Sequence, residues 1–172
     1  MPRNIEIKAR LLPGQSLEDL LPAARACADG PEQLIEQDDT FFRVPQGRLK
    51  LRQFADGSAE LIHYHRADAA EAKASDYVRV PAPDPAALRE ALARACGVLG
   101  RVQKQRWLLL AGATRIHLDR VQGLGDLMEL EVVLQPGQTD AEGQALAEAL
   151  MQRLGLAQAE RLAGAYLDWL PR

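Results

Sequence analysis

The stretch 48-RLKLR-52 decides how this chain folds, because it places three cations and two leucines in strict alternation. Alternate side chains of a β-strand point to opposite faces, so Arg48, Lys50 and Arg52 share one face at intervals of about 7 Å. Like charges on one face of a sheet repel each other. The pattern therefore requires either water around this face or negative charge opposite it.

Several other segments alternate in the same way, which is typical of strands with one ionisable face and one mostly apolar face. The ionisable faces carry Asn4, Glu6 and Lys8 in the first segment, Lys104 and Arg106 in a second, Arg115, His117 and Asp119 in a third, and Glu129 and Glu131 in a fourth. The segment 59–66 is less regular. There Ile62, Tyr64 and Arg66 share one face, while His63 and His65 lie on the other.

Three helices are predicted between these strands, and each begins after a capping residue: Ser16, Asp84 and Thr139. Turns of hairpin length join many of the strands, which predicts a mainly antiparallel sheet. The order strand–helix–strand occurs twice, near residues 4–44 and 75–110, and this hints at two related halves.

The composition fits one globular domain over residues 1–172, since 47% of the residues are hydrophobic and 26% are charged. A net charge of -3 predicts no general attraction to nucleic acid or to an anionic membrane. No apolar run approaches the length of a membrane span, and the first ten residues lack the apolar stretch of a signal peptide. Cys27 and Cys96 are expected to pack as small apolar residues in a reducing cytoplasm.

For any single strand, the simplest interpretation is a sheet with one face on the core and the charged face in water. The separation of the signs favours a different arrangement, because one strand face is wholly basic and another wholly acidic. Curling the sheet into a barrel would bring these faces together inside, with helices covering the apolar outside. Such buried charges require partners. A polyanion suits the Arg and Lys side chains, and Mg²⁺ or Mn²⁺ suits the oxygens of Glu6, Glu129 and Glu131.

Four short motifs in this order resemble the CYTH superfamily, which includes class IV adenylyl cyclases, thiamine triphosphatases and inorganic triphosphatases. They are EIK at 6–8, RLKLR at 48–52, KQR at 104–106 and ELE at 129–131. The longer stretches 39–52, 59–68 and 116–133 look especially like proteins that are called class IV adenylyl cyclase-like. The resemblance extends over nearly the whole chain.

The resemblance implies an α+β triphosphate tunnel: a closed antiparallel barrel of about eight strands, with helices packed outside and a Mg²⁺ or Mn²⁺ ion bound with a small-molecule triphosphate. By position it implies metal ligands at Glu6, Asp119, Glu129 and Glu131. It implies phosphate ligands at Lys8, Arg48, Lys50, Arg52, Arg66, Lys104, Arg106 and Arg115, with the general base as the alternative role of Lys8. Turnover would depend most on Lys8, Arg52 and Glu131. Whether the protein forms a homodimer is left open.

Two departures from the family pattern affect the expected chemistry. The initial motif Glu-x-Glu-x-Lys reads Asn4-Ile5-Glu6-Ile7-Lys8, so one negative charge near the metal is missing. The segment 59–66 lacks the usual Lys, whose place Arg66 could take. Hydrolysis of a triphosphate and cyclisation of ATP both remain open at this point. So do a non-catalytic polyphosphate- or nucleotide-binding module and an interaction domain with a solvated charged face.

Overall fold

A closed barrel of eight antiparallel strands forms the protein in this computed structural model, which describes residues 3–66 and 73–171. The strands are β1 (Arg3–Arg10), β2 (Gln33–Phe42), β3 (Arg48–Phe54), β4 (Ala59–Arg66), β5 (Lys73–Pro81), β6 (Val98–Ala111), β7 (Thr114–Val121) and β8 (Gly125–Val133). The helices are α1 (Leu17–Cys27), α2 (Pro85–Cys96) and α3 (Asp140–Arg153), and a 3-10 turn follows at Tyr166–Trp169. The predicted α+β fold with a closed antiparallel barrel is confirmed.

The strand order around the barrel is β1-β5-β4-β3-β2-β6-β7-β8, and β8 pairs with β1 to close it. Replacing each strand by the strand four places later leaves this order unchanged. The pairs β1–β5 and β2–β6 map onto themselves, and β4–β5 maps onto β8–β1. The barrel is therefore built from two halves of the same topology, and each half has one helix after its first strand.

The apolar faces of the strands point outward and pack against the helices. Ile5, Ile7 and Ala9 of β1 are fully buried, in the same core cluster as Leu20 of α1 and Met151 of α3. Because this face is covered by helices, the charged face is the one that lines the inside of the barrel. The interpretation of a sheet with its charged face in water is therefore wrong.

The predicted helix starts are confirmed by their hydrogen bonds. Ser16 and Thr139 each form a reciprocal capping box with the acidic residue three places later, and the side chain of Asp84 accepts a hydrogen bond from the backbone of α2. Pro22 lies inside α1, which begins at Leu17. Within the described ranges, no helix combines the length and the apolar character needed to cross a bilayer.

Gly143 sets how closely α3 approaches the barrel. A Cβ atom at this position would lie 2.7 Å from Cγ1 of Ile5 and 2.6 Å from Cδ2 of Leu134. Alanine normally stabilises a helix interior by about 1 kcal/mol relative to glycine. Here the overpacking should outweigh that gain, so Gly143→Ala should lower the free energy of unfolding by about 1–2 kcal/mol in a urea titration.

Leu146→Ala on the same helix is the control, because Leu146 is exposed. Its effect should stay within about 0.5 kcal/mol. An unchanged or raised stability of Gly143→Ala would contradict the close packing of α3 on β1.

Candidate active site

A cavity of about 400 Å³ lies inside the barrel, which is a size typical of small-molecule sites. The exposure of its cationic side chains shows where it opens. The side chains of Arg79 and Arg115 are 47% and 34% exposed, whereas those of Lys104 and Arg106 are 4% and 7% exposed. The cavity therefore has a solvent-facing mouth near Arg79 and Arg115 and a buried inner part.

The 3-10 turn at the carboxyl end of the chain covers the inner part. The hydroxyl of Tyr166 donates a hydrogen bond to Asp119 at 2.8 Å, and the Tyr166 ring lies 4.9 Å from Nζ of Lys8 and 5.2 Å from Nζ of Lys104. The electron-rich ring faces of aromatic side chains attract such cations. Tyr166 is thus a wall of the cavity as well as a contact of its charged residues.

Arg48 holds the same turn in place. Its guanidinium donates two hydrogen bonds to the carboxylate of Asp168, at 3.0 and 2.7 Å. Arg48 lines a separate depression next to Phe42 and Gly47 rather than the main cavity. The first cation of RLKLR is therefore a contact of the carboxyl-terminal turn, and its predicted role in phosphate binding stays a prediction.

The negative charge opposite RLKLR is Asp39 of β2, which is 1% exposed and pairs in register with Arg52. Asp39 accepts two hydrogen bonds from Arg52, both at 2.7 Å, and one from Lys50 at 2.9 Å. Nζ of Lys104 from β6 lies 3.9 Å from the same carboxylate. Three cations from the two strands that flank β2 thus converge on a single carboxylate, and their side chains are 13%, 11% and 4% exposed for Lys50, Arg52 and Lys104.

This excess of positive charge appears in the pKa values. Burial would raise the pKa of Asp39, but the charges of Arg52, Lys50 and Lys104 outweigh it and hold that pKa well below its usual range. Burial, followed by repulsion from Arg52, lowers the pKa of Lys50 to about 8. Burial and the charge of Arg106 lower the pKa of Lys104 well below that of an ordinary lysine. An anion that enters the cavity would therefore stabilise the charged forms of both lysines.

Acidic residues of β1 and β8 form the opposite wall. Glu6 and Glu131 face each other in register, and Lys8 faces Glu129. Nζ of Lys8 donates to Glu129 at 2.9 Å, and Arg115 donates to Glu131 at 2.9 Å. The cavity thus has a basic wall on β2, β3 and β6 and an acidic wall on β1 and β8.

Arg106 connects the two walls. It donates to both oxygens of Asp119, at 2.7 and 2.6 Å, and to Glu129 at 3.1 Å. Asp119 is wholly buried, and burial would raise its pKa, but the charge of Arg106 lowers that pKa to about 2. In this geometry, both oxygens of Asp119 serve to fix the orientation of Arg106.

His117 lies between the two glutamates of β8, with Nδ1 3.5 Å from Glu129 and Nε2 3.9 Å from Glu131. Burial, and next the charge of Arg106, lower the pKa of His117 below its usual value. Both effects favour the neutral imidazole. His63 and His65 are exposed on the other face of β4, away from the cavity.

The acidic wall has the donors that a hard divalent cation prefers. Among the described residues, no three acidic, histidine or cysteine side chains converge as a ready-made metal site. The oxygens of Glu6, Glu129 and Glu131 nevertheless line one wall of the cavity. Asn4 adds another oxygen that could bind a cation. Its amide nitrogen donates a hydrogen bond to Glu131, and its Oδ1 is buried without a hydrogen-bond partner among the described residues. A cation beside Glu131 would give this orphaned carbonyl oxygen a partner.

The cavity brings together most of the residues that the sequence predicts for the site. They are Glu6, Lys8, Lys50, Arg52, Lys104, Arg106, Arg115, Glu129 and Glu131. Asp119 lies behind Arg106, and the side chain of Arg66 is outside what the structure describes. Sequence reasoning missed Asp39, Arg79 and Tyr166, although the alternation of β2 and β5 already places Asp39 and Arg79 on inward faces.

Known proteins show what this chain resembles. Residues 2–166 match the CYTH domain. The PH1012 protein of Pyrococcus horikoshii has a TM-score of 0.85 at 23% identity, over 98% of this chain and 99% of that one. A putative adenylate cyclase of Vibrio parahaemolyticus scores 0.76 at 19% identity, over 96% and 95%. The Pct1 RNA triphosphatase of Schizosaccharomyces pombe scores 0.56 at 10% identity, over 93% and 86%. No curated protein sequence matches the chain.

Removing the carboxylate charge at position 39 should destabilise the protein strongly. In Asp39→Asn, Lys50, Arg52 and Lys104 lose the carboxylate on which they converge. Leaving buried charges without their partner costs about 3–5 kcal/mol, which a urea titration at pH 7 would measure.

The adjacent residue gives a matched control. Asp38 points outward and pairs with Arg101, whose side chain is more than half exposed. Asp38→Asn should therefore cost less than about 1 kcal/mol. Equal losses for the two variants would contradict the assignment of Asp39 as the internal counter-ion.

Proposed function

Because this chain belongs to the CYTH domain family, we propose that it binds a triphosphate-bearing small molecule inside the barrel. With a divalent cation bound, the protein converts that molecule, either as a triphosphate hydrolase or as a class IV adenylyl cyclase. One observation carries the proposal: the mostly buried side chains of Lys50, Arg52 and Lys104 converge on a single carboxylate. A phosphate chain supplies the negative charge that these cations lack.

The basic wall binds the phosphate chain. Asp39 holds Lys50 and Arg52 in place before the ligand arrives, so that little reorganisation is needed when phosphate oxygens approach. Arg106 is held by Asp119 in the same way. Donors that are fixed in advance stabilise the charge that develops on the transferred or leaving group, which is the main requirement of phosphoryl transfer.

The acidic wall would hold the cation through Glu6, Glu129 and Glu131, with the carbonyl oxygen of Asn4 as a further donor. A Mg²⁺ or Mn²⁺ ion bound there neutralises phosphate charge and lowers the pKa of a bound water molecule. Lys8 pairs with Glu129 at the inner part of the cavity. In the proposal Lys8 also binds a phosphate oxygen, and turnover depends on Lys8, Arg52 and Glu131.

Hydrolysis and cyclisation use the same set of cations. Attack by water on the terminal phosphorus releases orthophosphate, whereas attack by the 3′-hydroxyl of ATP on the α-phosphorus releases pyrophosphate and forms cyclic AMP. A binding module without turnover is the second candidate. The observation that favours it is Asn4, because an amide replaces a carboxylate beside Glu131 and weakens the attraction for a metal.

We also propose that the protein works in the cytoplasm, where the free cysteines Cys27 and Cys96 would stay reduced. Its partner there is the small-molecule triphosphate.

A substrate panel tests the proposal directly. The protein is incubated with tripolyphosphate, ATP or thiamine triphosphate, in Mg²⁺ and separately in Mn²⁺. Orthophosphate release would establish hydrolysis, and cyclic AMP with pyrophosphate would establish cyclisation. Tight binding without either product would establish the binding module. Binding of none of the three compounds would overturn the proposal.

Arg52→Ala should lower kcat/KM by at least about 100-fold, because it removes a fixed bidentate donor from the basic wall. Glu131→Gln should also abolish turnover, but it should leave the binding of tripolyphosphate in EDTA largely intact. The control is Arg101→Ala, since Arg101 pairs with Asp38 on the outside of the barrel. Steady-state kinetics that show full activity in Arg52→Ala and Glu131→Gln would refute the assignment of the site.

The binding of tripolyphosphate should weaken at alkaline pH. An anion binds the protonated form of Lys50, so the contribution of Lys50 is complete below its pKa of about 8 and is lost as the pH rises above it. Calorimetry should show a Kd that rises about fivefold between pH 8 and 9, as the protonated fraction of Lys50 falls. Lys50→Arg should give a shallower rise, because arginine stays charged. Identical slopes for the two proteins would exclude this role of Lys50.

A further inference from the structure

We propose that an apolar ledge at the mouth of the cavity, formed by Ile35, Phe54 and Leu108, binds a planar organic group attached to the phosphate chain. This inference rests on the proposed function and narrows its substrate class. It favours the triphosphate ester of an aromatic heterocycle, such as a nucleoside, over inorganic tripolyphosphate.

The ledge lies at the end of the barrel opposite the 3-10 turn. On β3, Arg48 contacts the turn, and Phe54 ends the strand six residues later, about 20 Å away. On β2, Phe41 packs in one cluster with Tyr166 of the turn, and Ile35 lies six residues before it on the same face. The ledge therefore belongs to the solvent-facing end.

The ledge is also next to the phosphate-binding cations. Phe54 follows Arg52 by two residues on the same face of β3, which is about 7 Å. Ile35 pairs in register with Arg106, and Leu108 follows Arg106 by two residues on β6. A ligand that places its phosphates on Arg52 and Arg106 would bring its next group to these three side chains.

Packing of the core does not account for the ledge. Ile35, Phe54 and Leu108 are each half-buried, and all three line the cavity. In the part of the chain that the structure describes, none of them belongs to any of the three core clusters. The open end of a cavity that many charged side chains line thus presents apolar surface to water. Covering that surface with an apolar ligand group is favourable.

Arg79 completes the mouth with a planar cation. It lies opposite Ile62 in the pairing of β4 with β5, lines the same cavity, and is fixed by two hydrogen bonds to Glu60, at 2.9 and 2.8 Å. A guanidinium plane and a phenyl ring are both surfaces on which a heterocycle stacks. Inorganic tripolyphosphate has no group that would use them.

The test compares two ligands that share the phosphate chain. Isothermal titration calorimetry in EDTA measures the Kd of ATP and of tripolyphosphate without turnover. In Phe54→Ala, the Kd of ATP should rise about tenfold, which is the size of a lost stacking contact, while the Kd of tripolyphosphate stays unchanged. Ile35→Ala should also raise the Kd of ATP relative to that of tripolyphosphate, but by a smaller factor.

Leu34→Ala is the matched control, because Leu34 precedes Ile35 on the same strand and is exposed on the outer face. It should leave both Kd values unchanged. Unaltered tripolyphosphate binding also shows that Phe54→Ala keeps its fold.

Equal changes for ATP and tripolyphosphate in Phe54→Ala, or no change for either, would overturn the inference. A wild-type protein that binds tripolyphosphate but neither ATP nor thiamine triphosphate would also overturn it while leaving the proposed function intact. A wild-type protein that binds none of these ligands, in EDTA or with Mg²⁺ or Mn²⁺, would instead refute the proposed function itself.

Discussion

The contact between Asp39 and the cations of β3 and β6 is the constraint on which the rest of the structure depends. A strand that carries Arg48, Lys50 and Arg52 on one face can turn that face inward only if a negatively charged group lies inside the barrel. Removing a charged group from water costs several kcal/mol even in a relaxed protein, and a domain has about 5–15 kcal/mol of net stability. Asp39 offsets part of this cost for Lys50, Arg52 and Lys104.

The same constraint accounts for the two opposite walls of the cavity. One carboxylate cannot neutralise three cations, so the remaining imbalance is spread across the cavity. Arg106 reaches from the basic wall to Glu129 of the acidic wall, and Lys8 and Arg115 pair with the glutamates that face them. The backbone register maintains this arrangement of charges, because it places residues of opposite charge side by side on neighbouring strands.

The sequence predicted the barrel because its main signal is local. Strict alternation in segments such as 4–10 and 48–52 fixes which side chains share a face, and the capping residues fix the helix starts. The partners of those faces are not local. Asp39 becomes the counter-ion of Arg52 because β2 pairs with β3, and Tyr166 reaches Asp119 from 47 residues away in the chain. Neither contact leaves a periodic signal in its own segment.

Position 4 shows how one residue balances stability against metal binding. A carboxylate there would place another negative charge beside Glu131, which already faces Glu6 across the β1–β8 pair. Such a wall repels itself unless a cation is bound. Asn4 instead donates a hydrogen bond to Glu131 and keeps its carbonyl oxygen available. The acidic wall of this protein therefore tolerates the absence of metal better than a wall with a carboxylate at position 4, and it should attract the cation less strongly for the same reason.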